Sequence, residues 1–408
     1  MTKEVVHKWE FAPRFRRNSF GWKSQPAIAR IKDAVAEIKK TARRDQLLGA
    51  EGAVLFLEKI SPALEQVDSS SGAIGTAVNN AIDTLAPIIA KAPATAALRQ
   101  RWLERLWEAV QEDAMPHIEL LPEHWGDICH TAAIASYWAD ELIGTLRMAW
   151  SRDRAPGGHF KGTTACLSTL FTAGRHEEII ELLELAPYQM WHYRRWGVKA
   201  LFAMGRKEAA LQYAEESHGL NESPSLIAAA CEEILLSEGL ADEAYRRYAL
   251  LANRKTTNLA TFRAIAQKYP HKSARDILDD LAKSTPSQEG KWFAAARSAG
   301  LLAEALELVD NSPCDPKTLT TAVRDMAETN PDFAVEAGMA ALKWLARGYG
   351  YEITGADVWS AYLGLTMAAE NAGRKDETIE RVRMLLEKEG DNFVSGILGR
   401  TLGQSGRG

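Results

Sequence analysis

Ala173-Gly174-Arg175-His176-Glu177-Glu178-Ile179-Ile180-Glu181-Leu182-Leu183 decides the fold, because its pattern of a turn followed by an amphipathic helix recurs downstream. Glycine tolerates the left-handed conformation that ends a helix, and the acidic pair three and four residues later opens the next helix where its dipole favours negative charge. Laid over it with the glycine in register are Met204-Gly205-Arg206, Glu238-Gly239-Leu240, Ala299-Gly300-Leu301 and Ala372-Gly373-Arg374. Successive glycines stand 31, 34, 61 and 73 residues apart. Tyr269-Pro270-His271 and Asn330-Pro331-Asp332 divide the two long intervals, so the underlying period is roughly 30 to 40 residues, as in stacked helix pairs.

The columns of this overlay read as packing positions. Five residues after the glycine stand Ile179, Ala210, Ala244, Ala305 and Thr378; six after it, Ile180, Leu211, Tyr245, Leu306 and Ile379; nine after it, Leu183, Ala214, Tyr248, Val309 and Val382. Four before it stand Leu170, Leu201, Leu235, Ala296 and Ala369. Each pair thus carries an apolar stripe on both helices that only a neighbouring pair can cover. The expected fold is all-α, an α-solenoid of stacked antiparallel helix pairs without significant β-sheet.

On these residues the chain resembles the tetratricopeptide-repeat family. The matching features are the corner glycine, the small residue five later (Ala210, Ala244, Ala305) and a proline closing two units, Pro187 and Pro313, over roughly residues 160 to 390. The family's first-helix tryptophan and Leu-Gly signature is not legible, and other helix-pair solenoids share what remains. The resemblance implies a curved superhelix whose concave face holds a peptide or partner helix, with no catalysis.

The chain has 408 residues, 46% hydrophobic and 25% charged, with a formal net charge of −5. No apolar run approaches the roughly 20 residues of a membrane span, and the first residues lack the apolar segment of a secretory signal, so no membrane contact and a cytoplasmic location are expected. Cys129, Cys166, Cys231 and Cys314 form no Cys-x-x-Cys pair, which argues against a disulfide framework or a zinc knuckle. Cys166 and Cys231 both lie eight residues before a corner glycine, a column shared with Gly197, Trp292 and Leu365, and read as buried packing positions.

Four regions are expected: a basic, aromatic-rich arm and first helix (1–45), a helical region (46–155), the repeats (156–390) and a C-terminal end with a flexible tail (391–408). The first 45 residues hold 12 Lys or Arg against 5 Asp or Glu, leaving a net of −12 for the rest. Aromatics interleave with cations from Trp9 to Lys23, and Arg14, Arg16, Arg17, Trp22 and Lys23 are the candidate nucleic-acid contacts, since cations neutralise phosphate and rings stack on unpaired bases. The competing reading pins the rings against the acidic body and places a helix from about Pro26 to Arg44, with Ala27, Ile31, Ala34 and Ile38 on its inner side.

Further helices are expected from about Gln46 to Val67, through Ile89, and from Arg99 to about Trp150. The Ser69-Ser70-Ser71-Gly72 turn reads as a serine N-cap, since it lacks the Lys-Ser/Thr ending of a phosphate-binding loop. Trp102, Trp107, Trp125, Trp138 and Trp150 read as fillers between helix layers. His117, His124, Cys129 and His130 match no zinc spacing, and no metal or cofactor is expected. The stretch Arg152-Asp153-Arg154-Ala155-Pro156-Gly157-Gly158 reads as an internal boundary.

Pro187 to Trp196 is the densest cluster of functional residue types. Arg194 and Arg195 among Trp191, Tyr193 and Trp196 have the chemistry to clamp an acidic or phosphorylated peptide, with guanidinium planes against ring faces. No carboxylate pair, nucleophile set or nucleotide loop emerges, so no catalytic residue is assigned. The expected function is a non-enzymatic scaffold that binds a peptide or helix of another protein on the concave face, contacted by Trp191, Tyr193, Arg194, Arg195 and Trp196. The alternative is a nucleic-acid-associated helical protein that uses the basic arm.

Overall fold

The structure is a computed structural model that describes residues 7–151, 158–217, 223–399 and 401–403. Of the expected boundary, residues 152–157 lie outside the described residues, as do residues 404–408 of the tail. No strand occurs among the described residues. The chain divides into two compact units, Met1–Ser223 and Pro224–Gly408.

The first unit contains α1 (Ser24–Ala42), α2 (Gln46–Leu64), α3 (Ala73–Lys91), α4 (Ala96–Glu112), α5 (Trp125–Cys129), α6 (Ala132–Trp150), α7 (Thr163–Thr172), α8 (His176–Leu185), α9 (Trp191–Ala203) and α10 (Lys207–Glu215). The second contains α11 (Pro224–Ser237), then α12 (Ala241–Ala244) and α13 (Leu250–Ala252) joined by a π turn at Tyr245–Ala249. It continues with α14 (Asn258–Lys268), α15 (Ala274–Lys283), α16 (Phe293–Ser298), α17 (Leu302–Asn311), α18 (Pro316–Met326), α19 (Pro331–Ala346), α20 (Gly355–Asn371), α21 (Lys375–Glu389) and α22 (Phe393–Leu398). Within each unit, packing runs mainly to the next helix in the chain or the next but one, as α7 does with α8 and α9 and α18 with α19 and α20.

The corner glycines carry out the step the sequence assigns to them. Gly174, Gly205, Gly239, Gly300 and Gly373 have φ of 73°, 76°, 74°, 75° and 68°. In each, the next residue's N–H reaches back to the carbonyl of the residue four before the glycine: Arg175 to Leu170 and Arg206 to Leu201 at 2.9 Å, Leu301 to Ala296 at 3.0 Å and Arg374 to Ala369 at 2.8 Å, with Leu240 to Leu235 alike. This is the six-to-one bond of a Schellman ending. Gly348 forms a sixth such corner, with Tyr349 donating to Trp344 at 2.9 Å. The columns five and nine after the glycine, four before it and eight before it are buried throughout.

Ion pairs link successive helix pairs. Arg206 meets Glu177 at 2.6 Å, Lys272 meets Asp242 at 2.8 Å and Arg374 meets Asp332 at 2.8 Å, and each acid lies in the first turn of the preceding pair's second helix. Tryptophans also bridge layers, with Trp344 Nε1 donating to the Val309 carbonyl at 2.8 Å and Trp102 Nε1 to Glu51 at 2.6 Å. Arg99 is buried with its guanidinium on the carbonyls of Ile89, Ala92 and Ile128, at 3.1, 2.6 and 2.8 Å. Its charge is thus balanced by the negative ends of α3 and α5.

In the second unit the fully buried Glu232 carboxylate accepts from Asn253 Nδ2 at 2.6 Å and Tyr269 OH at 2.5 Å and pairs with Lys268. Hydrogen bonding to this carboxylate and burial push the Tyr269 phenol well above its ordinary value, burial most of all. The expected serine cap of α3 is corrected: Gly72 is the N-cap, with φ of 70°, which leaves Ser71 one residue outside the helix. Thr354 forms a capping box with Asp357 at the start of α20.

Two substitutions in the first unit separate conformation from packing. Gly174→Ala forces alanine into the left-handed region and is expected to cost about 1–2 kcal/mol. Gly144→Ala, in the exposed middle of α6 with open space around a new methyl, is expected to gain about 0.5–1 kcal/mol. Urea denaturation of the full chain reads both. In the second unit, Glu232→Ala strands Tyr269 and Asn253 in the interior and is expected to cost roughly 3 kcal/mol, with a smaller loss for Glu232→Gln.

Candidate functional site

The cluster at Pro187–Trp196 folds as the turn after α8 and the first turns of α9. Trp191 and Trp196 are buried; Trp196 packs on Phe171 with ring centroids 5.9 Å apart and carries Lys199 Nζ 4.5 Å above its ring. Tyr193 lies 5.7 Å from the Trp150 ring, and burial raises its phenol above the ordinary value while a bond with Thr163 opposes that.

The two arginines diverge. Arg194 turns inward: Nε donates to Ser217 Oγ at 2.6 Å, Nη2 donates to the Tyr213 carbonyl at 3.2 Å, and the guanidinium lies 3.8 Å from the Tyr213 ring centroid. Arg195 crosses to the 3-10 turn Leu121–His124 and pairs with Glu123, and its Nε donates to the His192 carbonyl at 3.2 Å. Arg194 therefore ties α9 to α10 and Arg195 ties it to the Leu121–His124 turn, and Arg195 meets an anion only by leaving Glu123.

Tyr193 lines two adjoining cavities. One, of about 410 Å³, is bounded by Glu119, Glu123, His159, Lys161, Thr164 and His192. The other, of about 160 Å³, is bounded by Trp150, Phe160, Pro187, Tyr188 and Met190. His159, Phe160, Thr163 and Tyr193 are shared between them, so a polar half meets an aromatic half. Tyr188 and Met190 are 60% and 44% exposed at the outer edge.

The polar wall is built by capping. Lys161 Nζ donates to the Gln111 and Asp113 carbonyls at 2.9 and 2.7 Å, placing a cation at the C-terminal end of α4. The buried Asp113 carboxylate accepts the Ile118 N–H at 2.9 Å, the His117 N–H at 3.3 Å and the Ser61 hydroxyl, which fixes the loop leading to Glu119. Sequence reasoning missed Asp113, Glu119, Phe160 and Lys161. They enter through the packing of α5 on α7 and α7 on α9, which leaves no local signature.

The histidines near Cys129 do not converge. His124 Nε2 lies 3.1 Å from Asp83, His130 is exposed, His117 is buried, and burial pushes the Cys129 thiol up to about 12. No group of three potential metal ligands occurs among the described residues.

The arm divides cleanly. Trp9, Phe11, Phe15 and Phe20 are buried, with Phe11 and Phe15 edge-on to Phe56 of α2 at 5.9 and 5.2 Å. Trp9 occupies a slot opened by Gly52, where a side-chain carbon would stand 2.2 Å from its ring. Glu37 accepts the N–H groups of Glu10 and Phe11 at 2.8 and 3.1 Å. Arg17 is paired with Glu65 at 2.7 Å, whereas Arg14, Arg16 and Lys23 are exposed and Trp22 is 72% exposed.

Compared with models of known protein families and with characterised proteins, the chain matches none.

Burial lowers the His117 pKa from its ordinary 6.5, against a smaller opposing pull from Asp113. The unfolded chain therefore takes up a proton near pH 6.5 that the folded loop refuses. Stability is full above that pH and falls as the pH drops towards the lowered folded value. The melting temperature of the first unit is expected to decline below pH 6.5, and His117→Gln to flatten that decline; thermal melts at pH 7.5, 6.5 and 5.5 check it.

Proposed function

We propose that the chain is a non-enzymatic helical-repeat scaffold of stacked helix pairs, and that it holds a peptide or helix of a partner protein in the groove at the start of α9. The observation that carries this reading is the two-part groove itself. Tyr188 and Met190 hold apolar surface in solvent beside Trp150 and Phe160, while the wall around Glu119 and Thr164 offers polar contacts next to it. An aromatic and methionine edge with adjacent polar groups suits a peptide that inserts one apolar side chain and hydrogen-bonds along its flank. The groove sits at the N-terminal ends of α7 and α9, the first helices of their pairs in the repeat architecture proposed.

Arg194 and Arg195 act in this reading as positioning residues. They fix α9 against α10 and against the turn at Leu121–His124, while Tyr193, Tyr188 and Met190 make the contact.

The test is affinity purification from the native cell with the full chain and with a Tyr188→Ala/Met190→Ala variant. The expected outcome is a saturable protein partner on the unaltered chain and at least a tenfold loss on the variant, whose exposed substitutions leave the circular dichroism unchanged. Recovery of no saturable partner, or equal recovery by both proteins, overturns the reading.

A further inference from the structure

We infer that the outer face of α1, together with Trp22, is a binding surface for single-stranded nucleic acid, separate from the groove at α9. Ala27, Ile31, Ala34 and Ile38 fix the inner face of α1. At helical spacing, the opposite face carries Lys32 and Lys39 along one flank, continued by Arg43 at the C-cap, and Lys40 along the other, with Arg44 in the turn that follows, all exposed. None of these five forms an ion pair with a described residue, in contrast to the corner cations Arg206, Lys272 and Arg374. Of the acids in the same stretch, Glu37 is occupied by the backbone of the arm and Asp45 caps α2, while Asp33 is exposed on the flank of Lys40 and leaves the row of Lys32, Lys39 and Arg43 as the more strongly basic side.

From Lys32 to Arg43 the row runs roughly 16 Å along a rigid axis. Over that length a nucleic-acid backbone presents several phosphates, and displacement of its condensed counterions drives binding. Arg14, Arg16 and Lys23 add free cations at the amino-terminal end of the helix.

Trp22 selects the form of the ligand. The four other rings of the arm are buried, so the 72% exposure of Trp22 leaves one stacking platform beside Lys23 at the head of the basic row. A lone indole next to phosphate-binding cations suits an unpaired base. An acidic membrane surface is the weaker match, because the middle of the outer face carries Ala29 and Ala36, with no large apolar side chain to enter the lipid boundary.

The test uses the full chain and a fluorescein-labelled 20-nucleotide oligo(dT), followed by anisotropy. With about five phosphates engaged, raising salt from about 50 to 200 mM is expected to weaken binding roughly hundredfold. Lys32→Glu/Lys39→Glu/Arg43→Glu is expected to abolish binding and Trp22→Ala to weaken it by about tenfold, with circular dichroism unchanged because all four positions are exposed. Absence of binding at 50 mM salt, equal binding by the charge-reversed chain, or tighter binding to phosphatidylserine vesicles than to the oligonucleotide overturns the inference.

Discussion

A single backbone hydrogen bond, from the residue after a glycine to the carbonyl four residues before it, sets the shape of each helix corner. It closes only when the intervening residue is left-handed, and glycine meets that condition without the steric cost of a side chain. Among the described residues six corners repeat it, and in five of them the acceptor sits on the column whose side chains are also buried. Chain reversal and core packing are therefore specified by the same few positions. Once the reversal is fixed, the columns five and nine after the glycine face inward, and the ion pairs from Arg206 and Arg374, the residues directly after their corner glycines, reach the preceding first turns.

The groove at α9 rests on that framework but is completed by parts that obey no repeat. Its polar wall depends on Lys161 and Asp113, which bond to backbone groups at the end of α4 and in the loop after it. Residues that would be surface charges elsewhere serve here as caps, beside the exposed apolar edge at Tyr188 and Met190.

What the sequence discloses follows the range of the interaction. The corner at Gly205 and the burial of Ala210 and Leu201 are local facts, set by residues within two turns, and the periodic overlay reads them directly. The inner face of α1 is legible for the same reason. Trp191, Tyr193, Arg194, Arg195 and Trp196 are visible as a cluster, yet their division of labour is hidden. Arg194 finds Tyr213 on the next helix and Ser217 just after it, and Arg195 finds Glu123 far upstream. Likewise nothing near Trp9 announces Gly52, and only the meeting of the two in space shows why the ring is buried.

The distribution of cysteines carries a practical consequence. Cys129 and Cys166 are buried in the first unit and Cys231 and Cys314 in the second, and burial raises the thiols of Cys129, Cys166 and Cys314 to about 12. A thiol so reluctant to ionise and so shielded reacts only when its surroundings open. The chain thus contains two natural timers in each half, and the pace at which an alkylating reagent reaches them reads the breathing of either half without a single engineered label.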